Sequence, residues 1–517
     1  VSRPIAPTRA STVADLVAPL TGVDDRGIWF EGGFRSWADH LVDAALRAGV
    51  VRSWLSEDRP RHVGILLANT PEFSALFAAA ARHGFVLVGL NTTRRGDALA
   101  ADIARADCQV VLCGVDTRHL LDGLDLGETR VIDVDSPEWA DAVATSEPAP
   151  LADPTPDDLM MLIFTSGTTG DPKAVRCTHR TFATSGPMLA DRFDIGPRDV
   201  AYLSMPMFHS NAMIAGWCVA VAGGASIALR RSFSARGFVE DVHRYGVTYA
   251  NYVGKPMNYI LATEPHAGDA ASSLRIMYGN EASARDRRRF AERFGCRVVD
   301  GFGSTEGGVA ITRTPDTPDD ALGPLREPTA VVDVDTGEPV PVGTVGEIVN
   351  LSGPGLFAGY HNEPDATADR MRGGIYHTGD LAWVDDAGFL HFAGRLGDWL
   401  RVDGENIGTG PIERILLRHP SIRQVAVHGV PVEIGDEIEA VLVADGLTAD
   451  EFGEFLSAQD DLGPKQWPHR VRLVDELPET ATFKTVKRLL AADTTPPTWV
   501  RDGRTYRAGD VVRARSV

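Results

Sequence analysis

Residues Phe164 to Val175 read FTSGTTGDPKAV. Thr165, Ser166, Thr168 and Thr169 offer hydroxyl donors around Gly167 and Gly170. Glycines let a backbone approach an anion and turn its N–H groups inward. Lys173 adds a compact charge on a flexible stem. The combination is an anion cradle of the kind phosphates occupy. The plain alternative is a polar surface turn, which uses the same residue types. Lysine is scarce here: Lys173, Lys255, Lys465, Lys484 and Lys487 are the five lysines among 51 basic residues.

Two phosphate-binding motifs are excluded by spacing. A P-loop needs G-x-x-x-x-G-K-[ST]. Here Gly167 and Gly170 are too close, Pro172 precedes Lys173 and Ala174 follows it, so no hydroxyl beside the lysine could hold magnesium. The dinucleotide fingerprint G-x-G-x-x-G is approached by GFGSTEGG, Gly301 to Gly308, but Glu306 stands where the last glycine should be. A carboxylate facing pyrophosphate repels it unless a divalent cation lies between them.

Four further stretches follow in order: DGFGSTEGG (Asp300–Gly308), YHTGDL (Tyr376–Leu381), GRLGDWLRVDGENI (Gly394–Ile407) and LPETATFKTVKRLL (Leu477–Leu490). With the opening loop they resemble the ordered core motifs of the adenylate-forming superfamily, which includes acyl-CoA synthetases, peptide-synthetase adenylation domains and luciferases. The resemblance runs from HVGILLANTPEF, at His62, to Leu490. LNTTRRGDAL, PKAV and TFK look like the fatty acid transport protein/very-long-chain acyl-CoA synthetase branch.

The resemblance implies ATP, Mg2+ and CoA as cofactors and a lipophilic carboxylic acid, expected to be a medium- to very-long-chain fatty acid, as substrate. It implies that Lys484 bridges carboxylate and α-phosphate, that Glu306 and Thr165 hold Mg2+, and that Thr305 contacts the phosphates. Phe302 would lie against adenine, with Asp300, Gly301, Gly303 and Ser304 around it; a core phenylalanine is the alternative. Gly279, Asn280 and Glu281 occupy the other adenine-contacting position, in YGNEAS rather than the commoner GGAPL type. Asp380 and Arg395 would hold the ribose. His209 would stand between nucleotide and acyl pocket, and Gly404 near CoA. Lys487 is expected on an exposed face. A ligase loading a carrier protein, a steroid side-chain or aromatic acid ligase, and a lipid-binding protein with a relict site are the competing readings.

The elements that must position these residues are α/β. HVGILLA reads as a buried strand, PEFSALFAAAARHG as a helix between Pro71 and Gly84, and FVLVGLN as a returning strand, the unit of a parallel sheet. CQVVLCG, TRVIDV and LMMLIF repeat the strand pattern, and Glu147–Asp158 reads as a proline-rich linker. From Val331 the alternation predicts a β-meander or small barrel, with DVDTGE as a hairpin turn. PIERILLRH, QVAVHGV and EIEAVLVAD predict a small α+β unit. The expected fold is therefore a large N-terminal domain of doubly wound sheets plus a small β-barrel, followed by a small mobile α+β domain. Its boundaries are expected at 1–395 for the AMP- and acyl-binding domain, 396–398 for a hinge at Gly397 and Asp398, and 399–517 for the catalytic-lysine domain.

The 517 residues carry a net charge of -20, which argues against general nucleic-acid binding. Five cysteines without a framework read as reduced and cytoplasmic. Cys108 and Cys113 lack a His/Cys partner set for zinc. The most apolar run, Met213–Leu229, is too short to span a bilayer and is expected in the core; peripheral membrane contact stays open.

Overall fold

A computed structural model describes residues 10–165, 172–396, 399–402, 405–432, 435–480 and 485–509. Its contacts divide the chain into two units: Val1–Ala282, Asp286–Ala310 and Ser352–Tyr376 form the first; Ser283–Arg285, Ile311–Leu351 and His377–Val517 form the second.

Two sheets build the first unit. One orders its strands as Arg130–Asp133, Val110–Cys113, His62–Leu66, Val86–Gly89, Leu159–Thr165 and Lys173–Thr178. All neighbours are parallel except the last pair. The strand interiors are fully buried, as in His62–Leu66 and Val110–Cys113, which explains their continuous apolar runs. The other sheet places Arg297–Gly303, Ile276–Asn280, Tyr249–Val253, Val200–Leu203, Ser226–Leu229, Gly27–Phe30 and Gly33–Ser36 side by side.

Local chemistry sets the helices between them. Thr70 caps helix Pro71–His83 by accepting from Phe73 N–H, and Gly84 ends it in the left-handed region at φ 80°, where a Cβ would be costly. Met213–Leu229 is buried as expected, but not as one element. A π-helical turn, Met213–Trp217, leads into helix Cys218–Gly223, and the strand Ser226–Leu229 follows. The proline-rich stretch is not a free linker. Ala149 N–H donates to Ala45 O, Ala152 N–H to Arg82 O and Ser146 Oγ to Leu46 O. It is a strap across the middle of helix Trp37–Trp54 and the C-terminal end of helix Pro71–His83. Gly49 is required beneath it, because a Cβ there would lie 2.1 Å from Glu147 O.

His179 joins two segments of this unit. Its Nδ1 accepts from Val13 N–H at 3.2 Å, so the buried ring is neutral, and burial holds its pKa down from 6.5 to about 4. The unfolded chain takes up this proton first. The contribution to stability is therefore complete above pH 6.5 and declines as pH falls toward 4, by up to about 3 kcal/mol. Urea unfolding across that range should show the decline, and His179→Gln should flatten it.

The second unit holds a five-stranded sheet ordered Gly323–Pro324, Phe389–Arg395, Tyr376–Val384, Gly346–Asn350 and Thr329–Val332. DVDTGE is a turn, with Asp333 Oδ1 accepting from Asp335 and Thr336 N–H. Another sheet orders Ile422–Pro431, Asp436–Ala444, Arg470–Leu473, Trp499–Asp502 and Thr505–Ala508. Its last two strands form a hairpin in the polar stretch after Pro496, whose residue pattern predicts no element. Helix Lys487–Ala492 opens on a lysine that differs from expectation. Lys487 Nζ is not solvated on an exposed face; it lies 2.8 Å from both Glu413 Oε1 and Thr409 Oγ1.

Candidate active site

The glycine-rich loop closes a strand pair. Thr165 and Lys173 are register partners across Leu159–Thr165 and Lys173–Thr178, so the lysine opens the return strand. Ser166, Gly167, Thr168, Thr169 and Gly170 lie outside the described residues, as do Lys484, Gly404 and the hinge pair Gly397 and Asp398.

Behind the loop stem is a cluster that sequence reasoning missed. Lys173 Nζ sits 5.6 Å from the centre of the Tyr360 ring, within reach of a cation–π attraction. Tyr360 O–H donates to Glu306 Oε1 at 2.9 Å and accepts from Arg370 Nε at 3.3 Å. The Tyr360 stretch is fixed by pairing with the same return strand: Arg176 N–H donates to Gly359 O and His361 N–H to Ala174 O. Burial and the Glu306 carboxylate push the Tyr360 hydroxyl above its usual pKa, so it remains a neutral donor. Burial opposes the Arg370 charge, but Tyr360 beside it holds the guanidinium above its ordinary value.

Glu306 is 9% exposed. Among the described residues its Oε2 has no hydrogen-bond partner. A buried carboxylate with one oxygen anchored and the other available suits a hard, oxygen-seeking cation such as Mg2+. The glycines after it are steric necessities. A Cβ on Gly308 would enter the Tyr376 ring at 2.2 Å, and Gly307 sits at φ 68°.

Thr305 Oγ1 lies 2.8 Å from Ser210 Oγ. That contact brings FHSN to the end of the GFGSTE strand, with His209 at the start of the short helix Ser210–Ala212. His209 is half-buried against Phe208, ring centres 4.4 Å apart. Phe302 is half-buried beside exposed Gly303 and Ser304, so it does not fill the core. Asp300 is clamped from both sides: Tyr252 O–H donates to Oδ1 and Arg287 Nη1 to Oδ2. Neighbouring strands pair Gly279 with Asp300. A Cβ on Gly279 would strike Tyr252 O at 2.1 Å, and one on Gly301 would meet Tyr278 Oη at 2.5 Å. Asn280 Oδ1 is buried without a partner among the described residues, an acceptor facing no protein donor. Glu281 is exposed, at φ 67°, an unusual conformation for a side-chain-bearing residue.

In the second unit Asp380 and Arg395 are register partners, with Arg395 Nε 3.2 Å from Asp380 Oδ1. Glu347, 1% exposed, organises the HTGD turn. Its Oε2 is 2.7 Å from His377 Nδ1 and its Oε1 accepts from Gly379 N–H at 2.8 Å. Glu347 and Tyr360 carry no spacing signal in the sequence; only the fold shows what they hold.

A hydroxyl-rich loop, its lysine, and an anchored carboxylate sharing one tyrosine with that lysine define a nucleotide-phosphate-handling α/β protein. The family model for AMP-binding enzymes matches residues 44–361, and that for the AMP-binding enzyme C-terminal domain matches 411–484. A medium/long-chain-fatty-acid–CoA ligase, FadD17, of Mycobacterium tuberculosis is 56% identical over 488 residues, covering 93% of this chain and 96% of its own. A steroid-22-oyl-CoA synthetase of Rhodococcus jostii is 42% identical, covering 93% and 90%. The crystal structure of ATP-bound MatB from Rhodopseudomonas palustris superposes with a TM-score of 0.83 at 26% identity, covering 93% of this chain and 98% of that one. The chain belongs to the AMP-binding enzyme family, as an adenylate-forming acyl-CoA ligase. These relatives do not establish the narrower transport-protein branch.

Proposed function

We propose that the protein is an ATP- and Mg2+-dependent ligase that activates a medium- to long-chain fatty acid and transfers it to CoA. The 56% identity to a medium/long-chain-fatty-acid–CoA ligase across 93% of the chain carries the substrate class. Glu306, anchored by Tyr360 beside Lys173, supports the chemistry.

A carboxylate is a poor acyl donor because its charge is delocalised and oxide is a poor leaving group. In the first step its oxygen attacks the α-phosphorus of ATP and the bond to the bridging oxygen breaks, releasing pyrophosphate. In the second the CoA thiolate attacks the acyl carbon and AMP leaves. Charge builds on phosphate oxygens in the first step, so preorganised cations dominate it. In this reading Lys173 and the loop 165–170 bind the β- and γ-phosphates, and Lys484 bridges the carboxylate and the α-phosphate. Glu306 and Thr165 hold Mg2+, which neutralises phosphate charge when bound. Phe302, Gly279 and Asn280 surround adenine, and Asp380 with Arg395 binds the ribose hydroxyls. His209 borders the acyl group, and the loop at Gly404 meets CoA. Residues 396–398 are the hinge between 1–395 and 399–517, and the protein works in the cytoplasm.

The test is AMP release by purified protein with ATP, Mg2+ and CoA over saturated acids of graded length, a steroid side-chain acid and an aromatic acid. CoA-dependent turnover highest for medium or long fatty acids is expected. Preference for the steroid acid, or adenylate formed without CoA turnover, would overturn the substrate or the acceptor respectively. Asp380→Asn should raise KM for ATP about 10- to 100-fold, the worth of a charge-assisted hydrogen bond, while KM for the acid stays unchanged.

A further inference from the structure

His62, Asp107 and His361 are remote in the chain and meet in the first unit, where one ligand atom from each lies within 4.8 Å of the others. We propose that these three residues form a zinc-type divalent metal site, separate from the Glu306 magnesium site.

Each residue is held by the fold. His62 opens strand His62–Leu66, is 4% exposed, and has its ring oriented by Ala106 O, 2.7 Å from Nδ1. His361 is 8% exposed and is fixed by its N–H bond to Ala174 O at 2.8 Å. Its Nε2 is 3.0 Å from Asp107 Oδ2, and Asn362 Nδ2 donates to that same oxygen at 3.0 Å. The bonds to Ala106 O and from Asn362 are outer hydrogen bonds of the kind that orient metal ligands and tune their basicity. The imidazole rings meet edge to face, 5.1 Å between centres.

The donor set selects the metal. Two imidazoles and one carboxylate suit Zn2+, leaving a position for water, whereas Mg2+ prefers oxygen alone. Ala106 O can only accept, so His62 Nδ1 carries the hydrogen of that bond and Nε2 is the nitrogen left to meet an ion. The Asp107 side chain is 41% exposed, which gives an ion its way in. Metal binding takes the place of the His361–Asp107 hydrogen bond. It ties the turn after helix Gly96–Arg105 to the segment next to Tyr360.

The second His/Asp group, His243, His266 and Asp269, is the internal control, because Arg293 Nε already neutralises Asp269 at 2.7 Å. Chelator-stripped full-length protein should be titrated with Zn2+ against a chromophoric chelator in excess Mg2+, and with Co2+ while its visible d–d bands are followed. One equivalent is expected, with a rise in Tm on saturation. Asp107→Asn should weaken binding at least ~10-fold and abolish the Tm rise. Asparagine tolerates the φ of 51° at this position, so the variant still folds. His361→Gln should behave likewise and His243→Gln like wild type. No stoichiometric binding, wild-type affinity in both cluster variants, or loss confined to His243→Gln would overturn the proposal.

Discussion

Glu306→Gln protein will fold normally, yet its kcat for acid-dependent AMP release will fall about 10²- to 10³-fold, with a raised Mg2+ requirement. Glutamine keeps an oxygen for the Tyr360 hydroxyl, now 2.9 Å from Oε1, so the buried anchor survives. The change removes the negative charge and converts the available oxygen to an amide, which is a much poorer Mg2+ ligand. Initial rates across a Mg2+ titration, with circular dichroism as the folding check, separate the effects. Wild-type kcat at ordinary Mg2+ would show that the carboxylate plays no part in holding the cation. Tyr360→Phe should lie between the two proteins, because Glu306 keeps its charge and loses only its orientation.

The second large effect divides the reaction. Lys484→Ala should lower adenylate formation from acid and ATP by about 10²- to 10³-fold, the cost of removing one preorganised positive group from a phosphoryl-transfer site. Conversion of supplied acyl adenylate plus CoA into thioester should stay within about threefold of wild type, because in the proposed reading the lysine acts where charge builds on phosphate. Single-turnover assays of each half-reaction give both numbers. Equal losses in the two halves would place Lys484 in general folding or CoA binding rather than at the α-phosphate. Lys487→Ala is the control: with its ion pair to Glu413 it supports a helix, and its loss should lower Tm without separating the half-reactions.

Much of the frame was legible because it rests on local rules. Pro71 and Gly84 bracket their helix, and the unbroken apolar runs at His62 and Val110 become strands buried on both faces. The residues of the motifs were legible as types at fixed spacing. What holds them was not. Tyr360 and Glu347 act on residues 54 and 30 positions away, and Arg370 acts through Tyr360; no periodicity reports such contacts. The tail hairpin Trp499–Ala508 was missed because its alternation is short and mostly polar; it is stable as an added edge to an existing sheet. Lys487 was misjudged because scarcity and helical position do not reveal a partner at Glu413. The metal-ligand group is the extreme case, since its members are separated by up to 299 positions yet meet within 4.8 Å.

The strap at residues 146–152 limits how this protein could be recombined with its relatives. Its prolines suggest a natural crossover point, where sequence could be exchanged without cost. A crossover there would separate Glu147 from the glycine at 49 that leaves room for it, and Ala149 and Ala152 from the carbonyls of Ala45 and Arg82. A donor with alanine at position 49 would collide with the incoming strap, and the two helices would lose the cover it gives them. Productive chimaeras must therefore inherit residues 37–84 and 146–152 as one cassette, although more than sixty residues lie between them.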